Sequence, residues 1–145
     1  MSENNSFPSV AWFEKLAGQM AQEGEHYRDL GACDCCMVVK AEQDQTTSLI
    51  EVNFKGYEVE SIRELESLGE ARPEHFVVEA QLEVWKEMIE NIENRGEPDL
   101  EHTLNYLTFP DDPMVVDGPD KLMIDAFYRY NQSLQLFFNG AAKVA

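Results

Sequence analysis

A period of two in the hydrophobic pattern between residues 33 and 59 constrains the fold of this chain more than any other feature. Apolar and polar residues alternate there in two runs, as they do when a β-strand buries one of its faces. A Lys55-Gly56 turn separates the second run from a shorter third one. The pattern predicts an antiparallel meander of three strands. Its apolar face is predicted to carry Cys33, Cys35, Met37, Val39, Ala41, Ile50, Val52 and Phe54, and its opposite face Glu51 and Asn53.

A helical period precedes this strand region. Apolar residues recur every three or four positions after Ser9, which is placed to cap a helix from about 9 to 29. Residues 1–8 are mostly polar and are predicted to be a disordered tail, so that a single domain spans 9–145. After the meander, the charged stretch 63–74 contains a glycine and a proline. It is predicted to be a loop with a short helical turn.

In the second half of the chain, the hydrophobic pattern changes from the strand period to the helical period. A fourth strand over 76–80 leads into an amphipathic helix that ends at Gly96. A short helix is predicted over 99–107, a brief strand over 114–116, and a long apolar closing helix from 118 to about 139. The element order is α-βββ-β-α-α-β-α. This order predicts an α+β fold in which helices cover a mainly antiparallel five-stranded sheet.

The charge of the chain excludes several classes of function. Its 145 residues include 11 Lys and Arg against 28 Asp and Glu, a formal net charge of −17. Such a chain repels nucleic acid and anionic lipid headgroups, whereas it could attract a basic protein partner. It contains no run of about 18 uncharged apolar residues, so stable membrane insertion is not expected. With no leader-like N-terminus and three clustered cysteines, the protein is expected to be cytoplasmic.

Three segments carry a resemblance to a known family. They are Phe76-Val-Val-Glu-Ala80 with the following Trp85-Lys-Glu-Met-Ile89, then Met114-Val-Val-Asp-Gly118, and the closing helix from Leu122 onward. In this order they are similar to the sterol carrier protein domain, over roughly residues 10–140. In that family a sheet and its helices enclose an apolar tunnel for fatty acyl chains, acyl-CoA or sterols, with no catalytic residue or metal. The resemblance implies a carrier or substrate presenter for a hydrophobic small molecule, with no cofactor.

The closing helix has more large apolar side chains than one sheet face needs, which favours a cavity of about 300 Å³ or more beneath it. Tyr130 is expected to place its ring against this cavity and its hydroxyl at a polar edge. The segment 93–113 is longer than the family pattern, and it is expected to close over or reshape the mouth. The candidate lining residues are Trp85, Ile89, Leu104, Leu107, Phe127, Tyr130, Leu134, Phe137 and Phe138.

Two alternatives stay open. His102 and Tyr106 are four residues apart on the predicted short helix and lie near Asp112, so the three are weak catalytic candidates for proton transfer. Such a site would suit a small isomerase or hydratase acting on a steroid enone or an enoyl thioester. The other alternative is an interaction module, in which exposed aromatics such as Tyr128 and Phe138 dock a partner or form a homodimer.

The cysteine cluster does not predict a metal site. Cys33, Cys35 and Cys36 lack the paired C-x-x-C spacing of a structural zinc site. The strand alternation directs Cys33 and Cys35 toward the core, where free cysteines pack as small apolar residues. We therefore expect both to be buried and free of metal.

Overall fold

The computed structural model describes residues 6–109 and 113–144. A five-stranded sheet forms its centre, and helices cover one of the two sheet faces. The strands are β1 (Cys35–Gln43), β2 (Thr46–Lys55), β3 (Glu58–Leu65), β4 (His75–Gln81) and β5 (Val115–Asp117). The helices are α1 (Val10–Gln22), α2 (Gly24–Leu30), α3 (Leu82–Arg95), α4 (Leu104–Leu107), α5 (Lys121–Arg129), α6 (Asn131–Asn139) and α7 (Ala141–Val144). Single 3₁₀ turns lie at Leu68–Glu70 and Leu100–His102.

The strand order is β3-β2-β1-β4-β5, which makes the sheet mixed. The first three strands form the predicted antiparallel meander. β4, however, pairs with β1 in the parallel direction, with Cys36 opposite His75. The prediction of a mainly antiparallel sheet is confirmed, since three of the four strand pairs in the described residues are antiparallel. The parallel pair arises because the chain crosses the sheet between β3 and β4 instead of turning back beside β3. The predicted α+β class and the five strands are confirmed.

The main core lies between the sheet and the helices, and aromatic rings fill it. The rings of Phe13 and Phe137 stack with their centroids 6.3 Å apart, and Phe54 meets Phe137 edge-on at 5.0 Å. The Trp85 indole N–H donates to the Lys40 carbonyl oxygen at 3.0 Å, so this fully buried ring also satisfies its polar atom. Burying a side chain of this size stabilises the fold by about 1.5–3 kcal/mol.

Each of the two long predicted helices is divided in the structure. Ser9 caps α1 as predicted, its hydroxyl accepting from the Trp12 N–H at 3.1 Å. The helix ends at Glu23, whose backbone leaves the helical region ahead of Gly24, a poor helix former. The closing helix bends at Tyr130 into α5 and α6, and a further turn forms α7.

The short helix predicted over 99–107 is also divided. The 3₁₀ turn Leu100–His102 is separated from α4 by Thr103, whose backbone is extended. The Thr103 hydroxyl accepts from the Tyr106 N–H at 3.1 Å and so caps α4. His102 and Tyr106 therefore do not share one helix, contrary to the prediction.

The N-terminal segment is more ordered than predicted where the structure describes it. Phe7 is buried in the core, with its ring centroid 5.1 Å from that of Trp12 and 5.7 Å from that of Trp85. The prediction of a disordered tail over 1–8 is therefore wrong at Phe7, because this ring closes the end of the aromatic core. One apolar cluster contains residues from Phe7 to Ala141.

The second face of the sheet is covered as well, by the crossover between β3 and β4. Val38, Leu49, Leu65 and Val77 form a small apolar cluster there, and Ala71 of the crossover packs on it. The strand alternation predicted only one apolar face, so this second cluster was missed. Beside it, Glu51 and Asn53 are buried instead of lying on an open polar face.

None of the helices within residues 6–109 and 113–144 is both long and apolar enough to cross a lipid bilayer.

Candidate ligand-binding site

The structure places most of the predicted lining residues in the packed core. The side chains of the closing helices and of α3 contact one another and the sheet, so the space predicted for a tunnel is occupied by aromatic rings. Tyr130 is half-buried, and the Arg129 guanidinium lies over its ring, 5.7 Å from the centroid. The buried members of the predicted set are Trp85, Ile89, Leu104, Leu107, Phe127, Leu134, Phe137 and Phe138.

An open groove lies on the outer side of this core. It has a volume of about 440 Å³, and α1, α3 and α7 form its walls together with the N-terminal segment. Ile89 is the member of the predicted lining set that it contains. A volume of this size is within the range of small-molecule sites. The lining residues are Ser6, Phe7, Trp12, Lys15, Lys86, Ile89, Glu90, Glu93, Ala141 and Val144.

The floor of the groove is apolar because it is the outer surface of the aromatic core. Phe7 and Trp12 meet edge-on, and Trp85 and Phe138 lie directly beneath them. The amphipathic faces of α1 and α3 supply Trp12 and Ile89, while the third wall comes from the small residues of α7. An apolar chain could lie along this floor in contact with Phe7, Trp12 and Ile89.

The rim of the groove carries charges of both signs. Lys15 lies one helical turn after Trp12, and Lys86 lies one turn before Ile89, so both lysines stand over the apolar floor. Neither forms an ion pair with any residue in the described ranges. Glu90 and Glu93 line the same groove, so its four charged side chains sum to zero, whereas the whole chain has a net charge of −17. The two lysines are therefore the cations to which an anionic group can bind there.

Of the catalytic candidates, the structure describes His102 and Tyr106, and no hydrogen bond joins these two residues. The His102 imidazole contacts the Asp99 carboxylate at 2.6 Å through Nδ1 and the Glu87 carboxylate at 2.7 Å through Nε2. The hydrogen bond to Asp99, with that to Glu87, raises the pKa of the imidazole above its ordinary value. The Nε2 contact ties the 3₁₀ turn to α3, whereas the Nδ1 contact stays within the turn, because Asp99 is its N-cap residue. Tyr106 is exposed, and Asp112 lies outside the described residues.

The cysteines are placed close together at the start of β1. Cys33 and Cys36 are buried and Cys35 is half-buried, with 3.7 Å between the sulfur atoms of Cys33 and Cys35. Hydrogen bonding to Cys33 and burial both raise the pKa of the Cys35 thiol. In the part of the chain that the structure describes, no three His, Cys, Asp or Glu side chains are grouped to hold a metal ion.

The sequence pattern did not predict most residues of the groove. The sequence does place a lysine one helical turn from an apolar lining residue in each of the two helices, Lys15 after Trp12 and Lys86 before Ile89. These spacings alone do not predict a groove, because α1 and α3 are far apart in sequence and only tertiary packing brings their two lysines together.

Two solved structures share the architecture of this chain. One is the solution structure of a Thermus thermophilus protein described as a possible sterol carrier protein, with a TM-score of 0.65 and 20% identity over 99% of this chain and 93% of that one. The other is the crystal structure of sterol carrier protein 2, with the same score and identity over 97% of this chain and all of that one. The chain has a sterol carrier protein fold. No family model and no curated protein sequence matches it.

The sterol-carrier-like fold explains how the groove is built. Its sheet order puts β1 at the centre, and α3, which follows β4, is held against β1 by the bond from Trp85 to Lys40. α7 then returns to α1, where the Lys143 ammonium donates to the Glu23 carboxylate at 2.8 Å. α7 therefore packs against both α1 and α3, and the three helices form the walls of the groove.

Proposed function

We propose that the protein binds and carries a single-chain anionic amphiphile, of the long-chain fatty acid type, in the groove between α1, α3 and α7. The acyl chain lies on the apolar floor, and the carboxylate lies at the rim near Lys15 and Lys86. The observation that carries the proposal is the position of these two lysines, which lack ion-pair partners in the described ranges and flank an apolar floor.

The shape of the groove supports a single extended chain. It is open along one side, and its floor consists of Phe7, Trp12 and Ile89 with small residues of α7. Removal of an acyl chain from water contributes about 0.8 kcal/mol for each fully buried CH₂. Since the groove is open, a bound chain keeps part of its surface in water, which favours reversible binding and release.

Charge separates the lipid classes. An acyl-CoA carries several phosphate charges that extend beyond the groove, where the net charge of −17 repels them. A sterol has no charge and gains nothing from the two lysines. A fatty acid places one negative charge at the rim and no other, so it suits the arrangement better than the other two classes.

Displacement of a fluorescent fatty acid tests the proposal. We expect palmitate to compete with the probe, and methyl palmitate, which keeps the chain and loses the charge, to compete more weakly. Lys15→Gln and Lys86→Gln are each expected to weaken palmitate binding by about two- to fivefold, the effect of an exposed ion pair, and to leave the ester unchanged. Lys121→Gln, at an exposed position of α5 outside the groove, is the matched control.

A further variant tests the floor of the groove. Val144→Asp places a carboxylate on the apolar wall formed by α7, so we expect it to weaken palmitate and methyl palmitate together. If Lys15→Gln, Lys86→Gln and Lys121→Gln all bind palmitate as the wild type does, the carboxylate does not lie at this rim. If Val144→Asp also leaves both ligands unaffected, the lipid is bound elsewhere.

A further inference from the structure

One ring of the aromatic core comes from a segment that is neither helix nor strand. Phe7 belongs to the N-terminal strap, residues 6–8, which precedes the Ser9 cap of α1. Its side chain is 6% exposed, and it forms part of the floor of the groove proposed for lipid. A residue of the strap therefore lies inside the proposed binding site.

The inner neighbours of the Phe7 ring do not reach the groove. The Phe7 centroid lies 5.9 Å from that of Phe13 and 5.7 Å from that of Trp85, and both of these side chains are fully buried. Neither residue lines the groove, whereas Trp12, at 5.1 Å from Phe7, does. The Phe7 ring thus lies between the groove and an inner apolar surface, and its departure would join the two.

The backbone of the strap contributes little to its attachment. No backbone hydrogen bond joins Phe7 or Pro8 to another residue within 6–109 or 113–144, and Pro8 has no N–H to donate. α1 does not depend on the strap, because the Ser9 hydroxyl caps its first turn. Chain ends with few backbone hydrogen bonds open at a low cost in free energy. The strap can therefore leave the core without breaking a helix or a strand pair.

A long acyl chain and the Phe7 ring are alternative occupants of one apolar place. Each is stabilised there by removal from water, and the stabilisation grows with the apolar surface that is buried. A short chain can lie on the groove floor while Phe7 stays in place. A longer chain buries more of its CH₂ groups if its tail takes the position of the ring. The affinity for such a chain is reduced by the fraction of molecules in which the ring is in place.

We infer that Phe7 competes with the lipid for the inner end of the binding site, and that the tail of a long acyl chain displaces the ring and packs against Phe13 and Trp85. The inference rests on the proposed lipid binding and adds the residue that regulates it. A Phe7 that served only as part of the floor would have the opposite effect, since loss of its ring would remove contacts from the ligand.

Phe7→Ala tests the direction of the effect. Displacement of a fluorescent fatty acid measures the affinities of the wild type and the variant for palmitate and for octanoate. We expect Phe7→Ala to bind palmitate about tenfold more tightly than the wild type, and octanoate no more tightly. Phe76→Ala removes a fully buried ring that does not line the groove, so it controls for general loosening of the core. Weaker or unchanged palmitate binding by Phe7→Ala, or equally tighter binding by both variants, would overturn the inference.

The wild-type protein provides a second test, which does not depend on the folding of a variant. The chain has two tryptophans, and the buried Trp85 indole lies beside the Phe7 ring. We expect palmitate to shift the NMR resonance of the Trp85 indole N–H, because the ring current of Phe7 is lost, and octanoate to leave it in place. Trp12→Phe assigns the two indole resonances.

The outcomes separate this inference from the proposed function. If palmitate displaces the probe and the Trp85 resonance does not move, the lipid binds without displacing Phe7, and the inference alone is overturned. If palmitate displaces no probe from the wild type or from Phe7→Ala, the proposed lipid binding is wrong, and the inference is overturned with it.

Discussion

Replacement of the buried carboxylate on β2 gives the sharpest test of the second sheet face. Glu51 is 0% exposed and accepts hydrogen bonds from the Arg63 guanidinium, the Asn53 amide and the Arg72 backbone. Glu51→Gln keeps the size of the side chain and removes its charge. It also places an amide N–H₂ opposite groups that are themselves donors. We expect the variant to fold and to be less stable than the wild type at neutral pH.

The expected loss of stability in Glu51→Gln follows from the pKa of the Glu51 carboxyl. Burial by itself would raise this pKa, but the hydrogen bonds that Glu51 accepts, led by those from Arg63, outweigh burial and lower it from 4.5 to about 2. A difference of about 2.5 pKa units corresponds to roughly 3 kcal/mol of stability at pH 7. Because the folded-state pKa is the lower one, this stability is present above the unfolded-state value and is lost as pH falls toward 2. At pH 3, about 1.4 kcal/mol of it is left.

Urea unfolding followed by tryptophan fluorescence measures the effect. We expect Glu51→Gln to unfold with a free energy about 3 kcal/mol below that of the wild type at pH 7, and the difference to fall by about half by pH 3. Glu64→Gln, an exposed position on β3, controls for the general loss of a negative charge. A difference below about 0.5 kcal/mol at pH 7, or one that stays constant down to pH 3, would refute the reasoning.

Three further predictions concern other parts of the fold. Trp85→Phe removes the donor to the Lys40 carbonyl and leaves a cavity, so chemical unfolding should show a loss of about 2–4 kcal/mol. Gly96→Ala meets no atom within 4 Å but must adopt a φ of 88°, which should cost about 1 kcal/mol in thermal unfolding. His102→Asn should lower the melting temperature more at pH 6 than at pH 9, because the raised pKa of His102 means that its stabilisation is present at low pH and lost as pH rises.

Local patterns predicted the elements well. The hydrophobic alternation in β1 and β2 and the helical spacing in α3 indicate the faces that are buried in the structure. The structure also has the predicted helix cap at Ser9 and the predicted helix end at Gly96. These features depend on neighbours a few residues away, so a single sequence contains the information. The resemblance to sterol carrier proteins likewise rested on the order of elements, which the fold confirms.

Features that depend on distant residues were not predictable in this way. The parallel pairing of β1 with β4 depends on a crossover whose charged sequence indicates only a loop. The sequence pattern places Glu51 on a solvent-facing side, and only the tertiary structure shows that Arg63 and the crossover backbone cover it. The lipid groove was not predictable either, because its two lysines are on separate helices. The candidate lining residues stay a prediction for ligand contact, and Ile89 is the member of that set that lines the groove.

The parallel pair at the centre of the sheet also has a consequence for folding kinetics. The β1–β2 and β2–β3 pairs are joined by short turns, so their loop-closure entropy is small. The β1–β4 pair joins Cys36 to His75. No contact between β1 and β4 can stabilise the chain until the loop between these two residues has closed. Since non-local pairing slows folding, we expect the meander to form early and the docking of β4 to limit the rate. Destabilising substitutions at the β1–β4 interface should then slow refolding, whereas those confined to the groove should mainly accelerate unfolding.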